Sequence, residues 1–120
     1  MPIDDSSPSS GPSSANYANL DLTRSEVDAT KGTSVLEFGA TWCPICQGAQ
    51  PLILEALAGR EWQHIKVEDG PGRPLGRSFQ VRLWPTLVFM QNGHEIARVV
   101  RPKSMQDLAP ALDRLADPAG

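Results

Sequence analysis

The sequence lacks a long apolar run and an excess of positive charge, and these two absences exclude several classes of protein. No stretch is long and apolar enough to cross a membrane, and no basic segment followed by an apolar one marks a secretory signal peptide. The formal net charge of -3, without a basic stripe, argues against nucleic-acid binding. We therefore expect a cytoplasmic protein, or a periplasmic one if this is a processed form, with neither a membrane nor a nucleic acid as partner.

Cysteine is also scarce, since the 120 residues include only Cys43 and Cys46. In a reducing compartment, two cysteines are more often catalytic or metal-binding than a structural cross-link. An apolar run at residues 34–40 precedes them, and a segment with helical periodicity follows. A Cys-x-x-Cys at such a strand-to-helix junction indicates redox chemistry.

The spacing of the two cysteines predicts a reactive thiol for a physical reason. With Cys43 at the helix N-cap and Cys46 one turn further on, unpaired backbone N–H groups and the positive end of the helix dipole face the first sulfur. Both effects favour the thiolate, which is the nucleophilic form. Pro44 fits the first helical position, where its missing N–H costs nothing. We expect Trp42 to shield one side of the site and leave Cys43 as the exposed partner.

The segment from Glu37 to Cys46 resembles the active-site segment of thioredoxins, with further matching features at Lys66, at residues 81–86 and at residues 92–93. The resemblance covers roughly residues 17–116 and marks them as a thioredoxin-like domain. It implies an α/β thioredoxin fold, in which helices flank both faces of a central mixed sheet of four to five strands. Residues 1–16, rich in Ser and Pro, are predicted to be a disordered leader, and residues 117–120 a tail.

The first elements of the domain are predicted from local signals. A short strand is expected at residues 18–23. Thr23 and Glu26 fit a capping box that opens a short helix, and Gly32 is expected to close that helix.

The rest of the chain predicts one domain with its own core. The helix after Cys43 should run to about Ala58, with Pro51 inside it. Further strands are expected at residues 34–40, 64–68, 86–90 and 95–100, the last two joined by a hairpin. The last helix should follow Ser104, and its apolar face should consist of Met105, Leu108, Leu112 and Leu115.

Glu37 lies in the middle of the apolar run, where a carboxyl group is costly unless it is paired or neutral. We interpret it as a buried acid beneath the cysteines, with a pKa raised by desolvation, that shuttles a proton. The alternative is a strand position open to water. Thioredoxins usually have an Asp with the shuttle role at the matching position, and the resemblance also implies that Lys66 neighbours this acid. A solvent-facing Lys66 remains the other interpretation.

The resemblance implies a cis peptide bond before Pro85, although sequence alone favours trans. In thioredoxin-fold proteins this proline faces the disulfide, and the residue before it exposes its backbone to an incoming substrate strand. Trp84 and Arg101 stand where thioredoxins have smaller residues, which predicts a reshaped groove, unless Trp84 simply packs flat over the site. The predicted substrate-binding residues are Trp42, Pro44, Ile45, Trp84, Pro85 and Arg101.

The predicted function is thiol–disulfide exchange with protein disulfides, most readily as a reductant. Cys43 attacks, Cys46 resolves the mixed disulfide, and Glu37 with Lys66 manages the proton. The resemblance implies no cofactor besides the redox-active Cys43–Cys46 disulfide. Its expected partners are disulfide-bearing proteins, with a reductase or a glutathione system as electron donor, acting on a monomer. Because Pro44-Ile45 replaces the usual Gly-Pro, the reduction potential could lie between about -270 and -120 mV, and we favour the middle.

Several alternatives remain at this point. The chain could be an oxidase or isomerase, a glutathione-coupled protein, or a non-catalytic binding module of the same fold. A zinc site could join the two cysteines to His64 and His94, but the spacing fits no common zinc motif. Both histidines are more simply interpreted as solvent-facing.

Overall fold

Four strands form the centre of the fold in the computed structural model, which describes residues 22–116. The elements in chain order are α1 (Arg24–Asp28), β1 (Thr33–Gly39), α2 (Pro44–Leu57), β2 (Gln63–Glu68), α3 (Pro74–Ser78), β3 (Thr86–Gln91), β4 (His94–Val100) and α4 (Met105–Ala116). The strands are ordered β2-β1-β3-β4. Because β1 runs parallel to β2 and antiparallel to β3, the predicted mixed sheet is confirmed.

Strand β1 is buried on both faces because its side chains alternate between two cores. Val35 joins the core formed with α2 and α4, whereas Leu36 and Phe38 join the core formed with α1 and α3. Glu37 follows Val35 by two residues and therefore faces α2, the helix that carries the cysteine pair.

The predicted hairpin between β3 and β4 is confirmed, with left-handed backbone at Asn92 (φ 51°) and Gly93 (φ 84°). A Cβ on Gly93 would lie 1.9 Å from the backbone oxygen of Asp28, so only glycine fits there. The side-chain oxygen of Asn92 accepts a hydrogen bond from the Gly32 N–H at 2.8 Å. The hairpin is thereby fastened to the segment that leads from α1 into β1.

The first helix confirms one expectation and corrects another. Thr23 and Glu26 form the predicted capping box. Gly32 does not close the helix, because Ala29 is already the C-cap and its N–H bonds to carbonyls within the helix. Residues 18–21 of the predicted first strand lie outside the described residues, and Thr23 is the helix N-cap rather than a strand residue.

The apolar faces of the two long helices begin later than predicted. Ile45 is 46% exposed and Met105 39% exposed, although the periodicity places both on the inner face. Both residues lie in the first turn of their helix, and the apolar core contacts start one turn further on, at Ala49 and Leu108. Each helix continues through an internal proline, at positions 51 and 110.

Candidate active site

The end of β1 and the start of α2 place the two cysteines at a helix N-terminus. Cys43 is the N-cap of α2, as predicted, and its Sγ accepts a hydrogen bond from the backbone N–H of Cys46 at 3.2 Å. Pro44 occupies the start of the helix, and no acidic residue lies in the first turn. Both cysteines are free thiols. An N–H donor and the helix dipole therefore stabilise negative charge on the Cys43 sulfur.

The exposure of the site differs from the prediction. Cys46 is completely buried, as a resolving thiol should be, but Cys43 is also buried, at 6% exposure. The indole of Trp42 projects outward and is 69% exposed, so it does not cover the site. Trp84 packs instead against the small cluster formed by the cysteines and Ala40. Only a small part of Cys43 is therefore open to a substrate disulfide, and Trp84 borders it.

Beneath the cysteines, Glu37 is fully buried and surrounded by polar partners. Gln50 donates to its Oε2 at 2.7 Å, and the Nε2 atom of His64 lies 2.8 Å from its Oε1. The Nζ atom of Lys66 lies 3.8 Å from Oε2. The buried position of Glu37 and its pairing with Lys66 are thus confirmed, and both water-facing alternatives are wrong.

The strand register explains why Lys66 reaches this place. Glu37 and Lys66 are direct partners in the parallel pair of β1 and β2, so their side chains share one face. Lys66 is buried and also donates a hydrogen bond to the side-chain oxygen of Gln50. Burial lowers the pKa of Lys66, while the charges of Glu37 and Cys46 act in the opposite direction.

Two members of this buried network were missed by the sequence interpretation. Gln50 follows Cys46 by four residues on the inner face of α2, and it donates both to Glu37 and to the Cys46 backbone oxygen, at 3.0 Å. It therefore joins the acid to the turn that carries the resolving cysteine. The helical spacing of Cys46, Ala49, Gln50 and Ile53 could have revealed it.

His64 was wrongly expected to face solvent. Its side chain is only 7% exposed, because it lies two residues before Lys66 on the same face of β2. The alternation of His64 and Lys66 along a strand was the available signal. His94, by contrast, is exposed on β4. Within residues 22–116, no group of three or more histidine, cysteine or acidic side chains is arranged to hold a metal ion.

The loop before β3 forms the second wall of the site. The peptide bond between Trp84 and Pro85 is cis, the isomer that the resemblance implies, and Pro85 is buried. Arg101 donates its side-chain Nε–H to the Trp84 carbonyl at 2.8 Å and its backbone N–H to the Pro85 carbonyl at 2.9 Å. Arg101 therefore already uses one lone pair of the Trp84 carbonyl, whereas the resemblance implied a backbone edge exposed to the substrate.

The Trp84 ring is held in a defined orientation. Its Nε1–H donates to Asp69 at 2.8 Å, and its ring meets that of Trp42 edge to face, with centroids 5.6 Å apart and an interplanar angle of 76°. The ring is half-buried and packs on the cysteine cluster. Trp84 thus borders the cysteine cluster on one side and bonds to the loop that carries Asp69 on the other.

Comparison with known proteins decides the family. A family model described as Thioredoxin matches residues 16–114. The chain belongs to the thioredoxin family. This membership makes it a thiol–disulfide oxidoreductase with the α/β thioredoxin fold. Proteins of the family act on disulfide proteins and are reduced by thioredoxin reductase.

Individual thioredoxins support the same assignment. Thioredoxin H5 of Oryza sativa subsp. japonica is 34% identical over 101 residues, which cover 83% of this chain and 74% of the relative. A thioredoxin of Staphylococcus epidermidis is 29% identical over 104 residues, covering 81% and 97%. The structure of reduced thioredoxin 2 from Pseudomonas aeruginosa PAO1 shares 51% identity and has a TM-score of 0.75, covering 83% of this chain and 94% of that one.

Proposed function

We propose that this thioredoxin-family protein is a reductant of protein disulfides in which Cys43 is the attacking thiolate and Cys46 the resolving thiol. The observation that carries the assignment is the position of Cys43 at the N-cap of α2, where its sulfur accepts the Cys46 N–H. Cys43 is also the more accessible of the two cysteines. Thiolate character and access are the two properties that select an attacking cysteine.

The reaction consists of two exchanges. The Cys43 thiolate attacks one sulfur of the substrate disulfide, forms a mixed disulfide, and releases the other sulfur as a thiolate that takes up a proton. Cys46 then loses its proton and attacks Cys43, which forms the Cys43–Cys46 bond and releases the second substrate thiol. Two electrons pass from the dithiol to the substrate disulfide. No metal or organic cofactor is needed for either exchange.

The second exchange needs a group that receives the proton of a fully buried thiol. Glu37 is suited to this role because it is buried on the same side of the sheet and is joined to the Cys46 turn by Gln50. Lys66 and His64 complete the set of polar side chains around the acid. We assign Glu37 as the acceptor of the Cys46 proton, and Lys66 as the neighbouring group whose charge influences the protonation of Glu37.

The surface around Cys43 supports the proposed substrate contacts. Trp42, Pro44 and Ile45 are exposed beside it and offer an apolar rim to a partner protein. The other wall consists of Trp84 and Pro85, with Arg101 behind them. The electron donor is proposed to be a reductase or a glutathione system, and the working form a monomer.

The proposed location remains the cytoplasm, on the sequence argument given above. Among the described helices, none has the length and apolar character that a membrane crossing requires.

Single-cysteine variants test this assignment of roles. Cys43→Ser should abolish reduction of a peptide disulfide, because the attacking sulfur is absent. Cys46→Ser should still attack and should accumulate a mixed disulfide through Cys43, visible as a mass increase by intact-protein mass spectrometry. The assignment is reversed if Cys43→Ser traps the substrate and Cys46→Ser does not.

A further inference from the structure

A cleft of about 420 Å³ lies beside the active site, and arginines dominate its charge. Its walls include Arg73, Arg77 and Arg82, together with Asp69 and the Trp84 ring. We call this surface the arginine cleft. Three guanidinium groups against one carboxylate give it a positive character, on a chain whose formal net charge is -3. The charge of the cleft is therefore opposite in sign to the net charge of the chain.

Two of these arginines are available to a partner. The side chains of Arg77 and Arg82 are exposed and make no hydrogen bond or ion pair within residues 22–116. Arg73 lies 3.8 Å from Glu68, so part of its charge is already balanced. The carboxylate of Asp69 receives the Trp84 Nε1–H, which orients it toward the indole. Arg77 and Arg82 thus provide the uncompensated charge of the cleft.

The backbone around α3, from which these side chains project, is fixed by several contacts. Arg24 donates to the Ser78 carbonyl at 2.7 Å, and its guanidinium lies 3.9 Å from the centre of the Phe79 ring. The N–H of Val81 then bonds to the Gly76 carbonyl at 2.9 Å. The end of α3 and the segment before Arg82 are consequently fixed to the core, and the arginines project from an ordered frame.

The cleft and the redox site share one wall. Trp84 lines the cleft and also packs against the cluster that contains Cys43 and Cys46. A partner whose disulfide lies over Cys43 would therefore bring its neighbouring residues along Trp84 and toward the arginines. Carboxylates on those residues would meet complementary charge.

We propose that the arginine cleft docks an acidic segment next to the disulfide of the substrate protein. This inference rests on the proposed function, because it names the class of protein disulfide that the site selects. Substrate proteins are selected by the charge of the residues beside their reacting disulfide. This contribution to binding adds to that of the apolar rim around Cys43.

Two peptides of about ten residues, each closed by one disulfide, test the proposal. They differ only in carrying three Glu or three Gln beside the second cysteine. At low salt, kcat/KM for the acidic peptide should exceed that for the neutral one by about tenfold, since Arg77 and Arg82 allow two exposed charge pairs and each pair contributes about threefold. The difference should shrink in high salt, because exposed charges are screened.

Variants locate the effect on the cleft. The double variant Arg77→Gln/Arg82→Gln should lose about tenfold in kcat/KM on the acidic peptide and keep its activity on the neutral one. Arg114→Gln is the matched control, because Arg114 is an exposed arginine on α4, across the sheet from α3. Equal kcat/KM for the two peptides, or equal loss in the control, would overturn the proposal.

A binding experiment separates this inference from the proposed function. The acidic peptide with both cysteines replaced by serine should shift the nuclear magnetic resonance signal of the Trp84 indole N–H, and the double variant should weaken that shift. If binding is seen but neither peptide disulfide is reduced, the docking surface stands and the reductant role fails. If both peptides are reduced equally and no shift occurs, the role stands and the docking surface fails.

Discussion

Replacing Glu37 by glutamine should separate the two exchanges of the catalytic cycle. Glutamine has nearly the same shape but cannot accept a proton at neutral pH. Its oxygen can still accept from Gln50, and its NH₂ group can donate to a neutral His64, so the two closest contacts of Glu37 keep a partner. The fold should therefore survive, and the change should act on chemistry.

The cost in stability can be estimated from the same contacts. Two charge-assisted hydrogen bonds, at 2.7 and 2.8 Å, become neutral ones, and each loses about 1 kcal/mol. Lys66 loses its counter-charge, and because the Glu37 charge raises the pKa of Lys66 against the effect of burial, that pKa falls further in the variant. We expect Glu37→Gln to lower the free energy of unfolding by about 2 kcal/mol in urea denaturation.

The kinetic effect should be larger and confined to one step. Positioned proton transfer contributes at least about a hundredfold, so resolution of the mixed disulfide by Cys46 should slow by about that factor. Attack by Cys43 depends on the helix N-terminus and should change by less than about threefold. Rapid mixing with excess peptide disulfide, acid quenching and mass spectrometry would show the mixed disulfide accumulating in the variant.

Glu55→Gln provides the control, since Glu55 is an exposed glutamate on the same helix. The proton-acceptor role is refuted if folded Glu37→Gln resolves the mixed disulfide as fast as the unmodified protein. It is also refuted if attack and resolution slow equally, because a general disturbance of the site would then explain both.

Two further predictions concern Lys66 and Arg101. Burial lowers the pKa of Lys66 in the folded protein below 10.5, its value in the unfolded chain. Between these two pKa values the unfolded chain binds a proton at Lys66 that the folded chain lacks. The free energy of unfolding that is attributable to Lys66 should therefore rise with pH up to about 10.5. Denaturation of the unmodified protein and of Lys66→Met from about pH 8 upward should show this difference, whereas the exposed Lys103→Met should not. Arg101 has left-handed backbone (φ 52°), which glycine adopts without the steric cost of a side chain. Arg101→Gly should also remove the side-chain hydrogen bond to the Trp84 carbonyl, so that a substrate backbone can bind there. We expect kcat/KM for neutral peptide disulfides to rise by about threefold. An unchanged or lower kcat/KM would show that this carbonyl takes no part in substrate binding.

Much of the fold followed from local sequence signals. The apolar run of β1, the Thr23–Glu26 capping box and the Asn92-Gly93 turn depend on a few adjacent residues, so they could be predicted. Cys43 was placed at the helix N-cap for the same reason. The predicted end of α1 at Gly32 was wrong, because the Gly32 N–H bonds to the distant Asn92 side chain and does not cap the helix.

The buried network could be predicted only in part because it depends on strand register. Glu37 and Lys66 were paired through the family resemblance, while His64 and Gln50 reach Glu37 only after β2 and α2 have packed on β1. The hydrogen bond from Arg101 to the Trp84 carbonyl likewise forms only after β4 has paired with β3, because Arg101 directly follows β4. Contacts between residues far apart in sequence carry little signal in a single chain.

The reduction potential of the Cys43–Cys46 couple tests the central claim most directly. The protein would be equilibrated in glutathione buffers of graded ratio, alkylated and weighed by mass spectrometry to obtain the oxidised fraction. A protein disulfide reductant should give one two-electron transition between about -270 and -180 mV. A transition above about -180 mV, on the oxidising side of protein disulfide isomerase, would contradict the reductant role, and failure to form the Cys43–Cys46 disulfide in any buffer would contradict the redox function itself.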